Sequence, residues 1–147
     1  MNAASTDEQG KNFTAEERAA MKERAKEVRT AKRKGAAADP LADLLEKIAE
    51  MSDADREIAE KIHAIVTEVA PDLQPKTWYG QPAYAKNGKV VLFFQASSKF
   101  KTRYATLGFN EDAALDDGDL WPTAFAITVV TPAVESTIRD LVARAAG

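Results

Sequence analysis

Tyr84-Ala85-Lys86, Asn87-Gly88 and Lys89-Val90-Val91-Leu92-Phe93-Phe94 follow one another directly, two runs of strand-forming residues on either side of an Asn-Gly pair. A two-residue turn of type I′ needs positive φ at both central positions, and Asn-Gly supplies it at little steric cost. This stretch predicts an antiparallel hairpin, and any fold the chain adopts must build outward from that ribbon. Phe93 and Phe94 fall on opposite faces of their strand, so the strand is expected to be central, with apolar cover on both sides.

The surrounding segment extends the sheet. Ten of the 11 aromatic residues lie between Trp78 and Phe125, interspersed with glycine, threonine and valine, a composition that favours strands. Further strands are expected through Thr102–Phe109 and Thr123–Val130, with the acidic loop Glu111–Trp121 between them, in an antiparallel sheet of about five strands.

Helices are expected on both sides of the sheet in chain order. Residues 1–12 are small, polar and without period, and read as a flexible tail. Thr14 with Glu17 forms a capping-box pattern ahead of a run rich in Ala, Glu, Lys and Arg that ends at Lys32-Arg33-Lys34 before Gly35. Its apolar stripe, Met21, Ala25 and Val28, is too thin to bury much area. Asp39 followed by Pro40 starts a second helix, with Leu41, Leu44, Leu45 and Ile48 at helical spacing. A third runs from Ser52 to Pro71 with Ile58, Ile62, Ile65, Val66 and Val69 on one side. Thr131 and Pro132 open the last, whose buried side carries Val134, Ile138, Leu141 and Val142. The expected class is α+β: a helical N-terminal extension over 13–51, then an α-β-α domain over 52–147.

The segment Lys76-Thr77-Trp78-Tyr79-Gly80-Gln81-Pro82-Ala83-Tyr84, with Lys99-Phe100, Tyr104, Leu115-Asp116-Asp117-Gly118 and Trp121-Pro122, resembles the bacterial YdhG-like domain family. The resemblance covers roughly residues 52–146. It implies a compact, frataxin-like α-β-α architecture and, since some members are described as iron chaperones, iron as a possible cargo. The basic first helix lies outside the minimal domain.

Several function classes find no support in the residues. There are no cysteines, which removes disulfides, thiolate zinc sites and cysteine nucleophiles. No nucleophile elbow or phosphate-cradling glycine loop is present, and the single histidine, His63, lies beside the apolar stripe of its helix and reads as structural. An enzyme is therefore not expected, and no cofactor is required. No stretch approaches the ~20 apolar residues of a membrane span, and the start of the chain lacks a basic and apolar leader pattern, so a cytoplasmic location is expected.

What remains is binding. Charge is segregated: residues 76–110 carry 6 basic and no acidic side chains, whereas 111–147 carry 2 basic and 7 acidic ones. Hard cations such as iron take several carboxylate oxygens. Asp53, Glu57 and Glu60 on one helix face, and Asp116, Asp117 and Asp119 in the loop, are the candidate metal ligands. The competing readings for these groups are a solvated helix face with i, i+4 ion pairs, Arg56 with Glu60 and Glu57 with Lys61, and turn chemistry in the loop. Lys99, Lys101 and Arg103 alternate with Phe100, Thr102 and Tyr104. On an extended backbone they would form an anion-facing edge for a phosphate or an acidic partner, or a lysine-guarded edge strand. No RNA-binding signature accompanies them, so nucleic acid is not the expected partner. Trp78, Tyr79, Tyr84 and Trp121 are candidates to line a small-molecule pocket, with core packing as the plainer role. The leading expectation is a small binding protein that handles iron through carboxylates; the alternative is an anion-binding or protein-interaction module using the basic edge.

Overall fold

The computed structural model describes residues 14–34 and 39–147; the tail expected at 1–12 lies outside them. The chain forms two compact units that part between Ala38 and Asp39. Among its described residues the first holds the helix α1 (Ala15–Lys34). It begins as its sequence predicts: the Thr14 hydroxyl accepts the Glu17 N–H at 3.0 Å, satisfying one of the free donors of the first turn.

The second unit runs α2 (Pro40–Ala49), α3 (Asp53–Val69), β1 (Gln74–Trp78), β2 (Gln81–Lys86), β3 (Lys89–Gln95), the single turn α4 (Ser97–Phe100), β4 (Ala105–Phe109), β5 (Ala124–Ile127) and α5 (Pro132–Ala146). The five strands form one antiparallel sheet in chain order, which establishes an α+β fold with helices flanking the sheet in sequence. Among the described residues no helix is long and apolar enough to cross a membrane.

Local signals set most of the element ends. Asp39 Oδ1 accepts from the Ala42 N–H and Thr131 Oγ1 from the Val134 N–H, both at 3.2 Å, and each cap is followed by proline. Asn87 and Gly88 take φ of 54° and 79°, as the hairpin requires. A bulge between Tyr84 and Ala85 shifts the register of β2 against β3 and tightens the local twist.

The core lies between one sheet face and α2, α3 and α5. Leu44 and Ile48 of α2, Ile58, Ile62, Ile65 and Val66 of α3, and Ile138 and Val142 of α5 pack with Tyr84, Leu92, Phe94 and Leu107. Leu44 is fully buried and α2 packs over β1 and β2. The compact unit therefore begins at Asp39 rather than at residue 52, because α2 contributes to the same core instead of extending from it. Arg139 of α5 reaches Glu68 of α3 at 2.8 Å; the hydrogen bond and charge of the guanidinium hold the Glu68 carboxyl below its ordinary range.

Two strand expectations are corrected, and one strand not located in the sequence is added. Gln74–Trp78 is a strand although it holds Pro75; it lies at the sheet edge, where a missing N–H is tolerated. The last strand is Ala124–Ile127 alone rather than Thr123–Val130. The strand expected from Thr102 begins only at Ala105, since Ser97–Phe100 is helical and Lys101 is left-handed with φ 54°. The cause is a distant carboxylate, described next.

Candidate functional site

Asp55 stands in the first turn of α3 and is 1% exposed. Its Oδ1 accepts from Ser97 N at 3.2 Å and Ser97 Oγ at 2.8 Å; its Oδ2 accepts from Ser98 N at 3.0 Å, Ser98 Oγ at 2.7 Å and Ser52 Oγ at 3.0 Å. Burial works to raise this carboxyl, but the hydrogen bonds from Ser98 and Ser97 outweigh it and hold the group at about 2. The carboxylate thus caps α4 from across the sequence, and a helical turn forms where residue-by-residue alternation predicts a strand. Ser52-x-x-Asp55 has capping-box spacing, the signal that could have singled Asp55 out.

This turn dissolves the expected basic edge. Lys99 lies in α4 with its Nζ 3.3 Å from the Gly80 carbonyl oxygen, Lys101 is left-handed, and Arg103 sits over the Tyr104 ring at 5.3 Å. The three cations do not share one strand face, because the backbone that should have aligned them is not extended.

The aromatic candidates divide by strand alternation. Tyr84 points into the core, 1% exposed, with its hydroxyl 2.8 Å from His63 Nδ1. Burial pushes the Tyr84 phenol up and the His63 imidazole down. His63 is thus tied to the core, and with Arg56, Glu60, Leu45, Ile48 and Ala49 it lines a cleft of about 440 Å³ between α2 and α3. Trp78 and Tyr79 belong to the opposite sheet face and its turn, where Trp78 meets Tyr79 and Phe93 with ring centroids 4.9 and 5.1 Å apart. Tyr84 is therefore not part of an aromatic pocket with them.

The carboxylates divide as well. On α3, Asp53 and Glu60 both face Arg56, and Glu57 lies 3.4 Å from Lys61, the i, i+3 and i, i+4 pattern of a solvated helix face. In the loop after β4, Asp116 and Asp119 line a cleft of about 560 Å³ together with Glu111, Trp121, Leu120, Leu115, Ala113 and Phe109; Asp117 is exposed outside that lining. Among the described residues no group of three or more His, Asp or Glu side chains is placed to hold a metal ion.

The loop cleft is where separately predicted residues meet. Trp121 packs against the edge of the core and pins the loop, and the Ala114 N–H donates to the Ala145 carbonyl at the C-terminal end of α5 at 3.1 Å. That helix end contributes partial negative charge. Asp112 is offset by Lys89 at 3.9 Å, whereas among the described residues no ion pair engages Glu111, Asp116 or Asp119. Leu120 stands at the rim, 89% exposed. The result is an apolar floor with an aromatic wall under a negative field. No family model, curated protein or solved structure matches this chain.

Proposed function

We propose that the protein is a binding module that captures a basic, amphipathic segment of a partner protein in the cleft of the 110–123 loop. The observation that carries this reading is the placement around Trp121 and the protruding Leu120 of three carboxylates that have no cationic partner among the described residues. Unpaired like charges repel one another, and a lysine or arginine set among them relieves that repulsion. An aromatic face beside carboxylates suits a cation on an apolar stem, and Leu120, the most exposed of the described large apolar side chains, adds apolar area for a partner to bury.

The test is calorimetric titration of the full chain with a short amphipathic Leu/Lys peptide and with its Leu/Glu counterpart. Saturable binding of the Leu/Lys peptide alone is expected, weakening steeply as salt rises and lost in the E111Q/D116N/D119N variant. Binding of both peptides alike, or of neither, overturns the reading. Displacement of bound peptide by Fe²⁺ at lower concentration than the peptide itself would return the carboxylates to the iron role and overturn it too.

A further inference from the structure

The two tight hairpin turns of this sheet have nearly the same backbone and very different residues. Asn87-Gly88 joins β2 to β3 with φ of 54° and 79°; Tyr79-Gly80 joins β1 to β2 with φ of 54° and 73°. Asparagine is tolerated in that left-handed region, while a bulky aromatic side chain there is strained. Such strain persists where another function outweighs it. The Tyr79 ring meets Trp78 edge-on, at an interplanar angle of 79°.

Around this turn the sheet face opposite α2, α3 and α5 is built for flat contact. Trp78 is the cross-strand partner of Gln81, and Phe93 is the partner of both Ala83 and Gly108. The Phe93 ring lies so close over Gly108 that a Cβ there would stand 2.3 Å from Phe93 Cζ. Small residues on both flanks let the ring lie down against the sheet, next to Trp78. Lys76 falls on the same face by alternation, and Lys99 is held at the Gly80 carbonyl.

In this setting Gln81 is 7% exposed and, among the described residues, its side-chain Oε1 has no hydrogen-bond partner. A buried acceptor left unpaired is unfavourable, and native proteins rarely keep one without a use. Its place across from Trp78, whose ring meets that of Phe93, points to what would pair with it: an N–H donor carried on a flat ring. We infer that the Trp78/Gln81/Phe93 face binds a planar nitrogen heterocycle, with a ring N–H or amino group donating to Gln81 Oε1 and an anionic substituent directed to Lys76. This site is separate from the loop cleft and stands or falls independently of it.

The experiment uses the full chain with adenosine 5′-monophosphate as probe, and adenosine and ribose 5-phosphate as controls lacking the anion and the ring. Trp78 emission is read in a W121F background. A saturable change with the monophosphate is expected, weaker with adenosine and absent with ribose 5-phosphate. Two variants separate binding from folding. Gln81→Leu removes the orphan acceptor at similar volume, so its Tm should hold or rise while affinity drops at least about tenfold. Tyr79→Asn should raise Tm by relieving the turn, and weaken binding. The inference is overturned if the monophosphate gives no saturable change, if ribose 5-phosphate matches it, or if Gln81→Leu binds as well as the unaltered chain. It is also overturned if Gln81→Leu lowers Tm sharply, since the amide would then have a structural partner.

Discussion

The Asp55 carboxylate binds the backbone N–H and the hydroxyl of Ser98, 43 residues further along the chain, at 3.0 and 2.7 Å. Ser97 and Ser52 complete the shell, so one buried charge fastens the start of α3 to the β3–β4 connection. Replacement by asparagine keeps the shape but turns an amide NH₂ toward hydroxyl and amide donors. Asp55→Asn is expected to cost on the order of 3 kcal/mol in chemical unfolding; a loss within about 0.5 kcal/mol would show that the clasp is not a source of stability.

The same group sets the acid limit of the fold. Its folded-state value of about 2 lies below the ~3.9 of a free aspartate, so the unfolded chain binds the proton more readily. The stabilisation, roughly 2–3 kcal/mol, is complete above about pH 4 and is lost as pH falls through about 2. Unfolding free energy measured against pH should show this acid slope in the unaltered protein and a shallower one in Asp55→Asn.

His63 adds a second, milder pH dependence. Burial depresses its imidazole below the ordinary 6.5, so the folded state favours the neutral ring and stability declines as pH drops below that value. As the sole histidine, it gives a single assignable ring signal in NMR. Its midpoint should lie below 6.5 and move when Tyr84→Phe removes the hydroxyl 2.8 Å from Nδ1; an unmoved midpoint would mean that the phenol does not bias the ring.

Leu44 of α2 is fully buried against the α3 and sheet core, while Leu41, one turn earlier, is exposed. Leu44→Ala should therefore cost about 2–5 kcal/mol, and Leu41→Ala no more than about 0.5 kcal/mol. Equal, small effects in denaturant melts would place α2 outside the folded unit.

Gly108 has room for no Cβ beneath the Phe93 ring. Gly108→Ala is expected to destabilise by about 1–3 kcal/mol through overpacking. Because the clash is with one ring, Gly108→Ala combined with Phe93→Ala should cost less than the two single changes added together; strict additivity in the double-mutant cycle would put the strain elsewhere.

The features legible in the sequence are those whose cause lies within one turn of chain. Asn87-Gly88 dictates its hairpin, Asp39-Pro40 and Thr131-Pro132 open their helices, and the spacing of Ile58, Ile62, Ile65 and Val66 marks the buried side of α3. In each, donor and acceptor, or turn and glycine, are a few residues apart, so local sterics and hydrogen bonding decide the outcome. Tertiary structure decided the rest, because its partners are remote. Lys99, Lys101 and Arg103 alternate as a strand would, yet Asp55 captures the amides ahead of them and winds the chain into a turn. Trp78 and Tyr84 look like one aromatic group in the sequence, but β1–β2 pairing sets them on opposite faces of the sheet. Asp116 and Asp119 read as metal ligands and Trp121 as a separate pocket residue, until the fold of the 110–123 loop put all three on one cleft. Register, and the one buried charge that organises a distant loop, are properties of the assembled sheet and cannot be read from spacing along the chain.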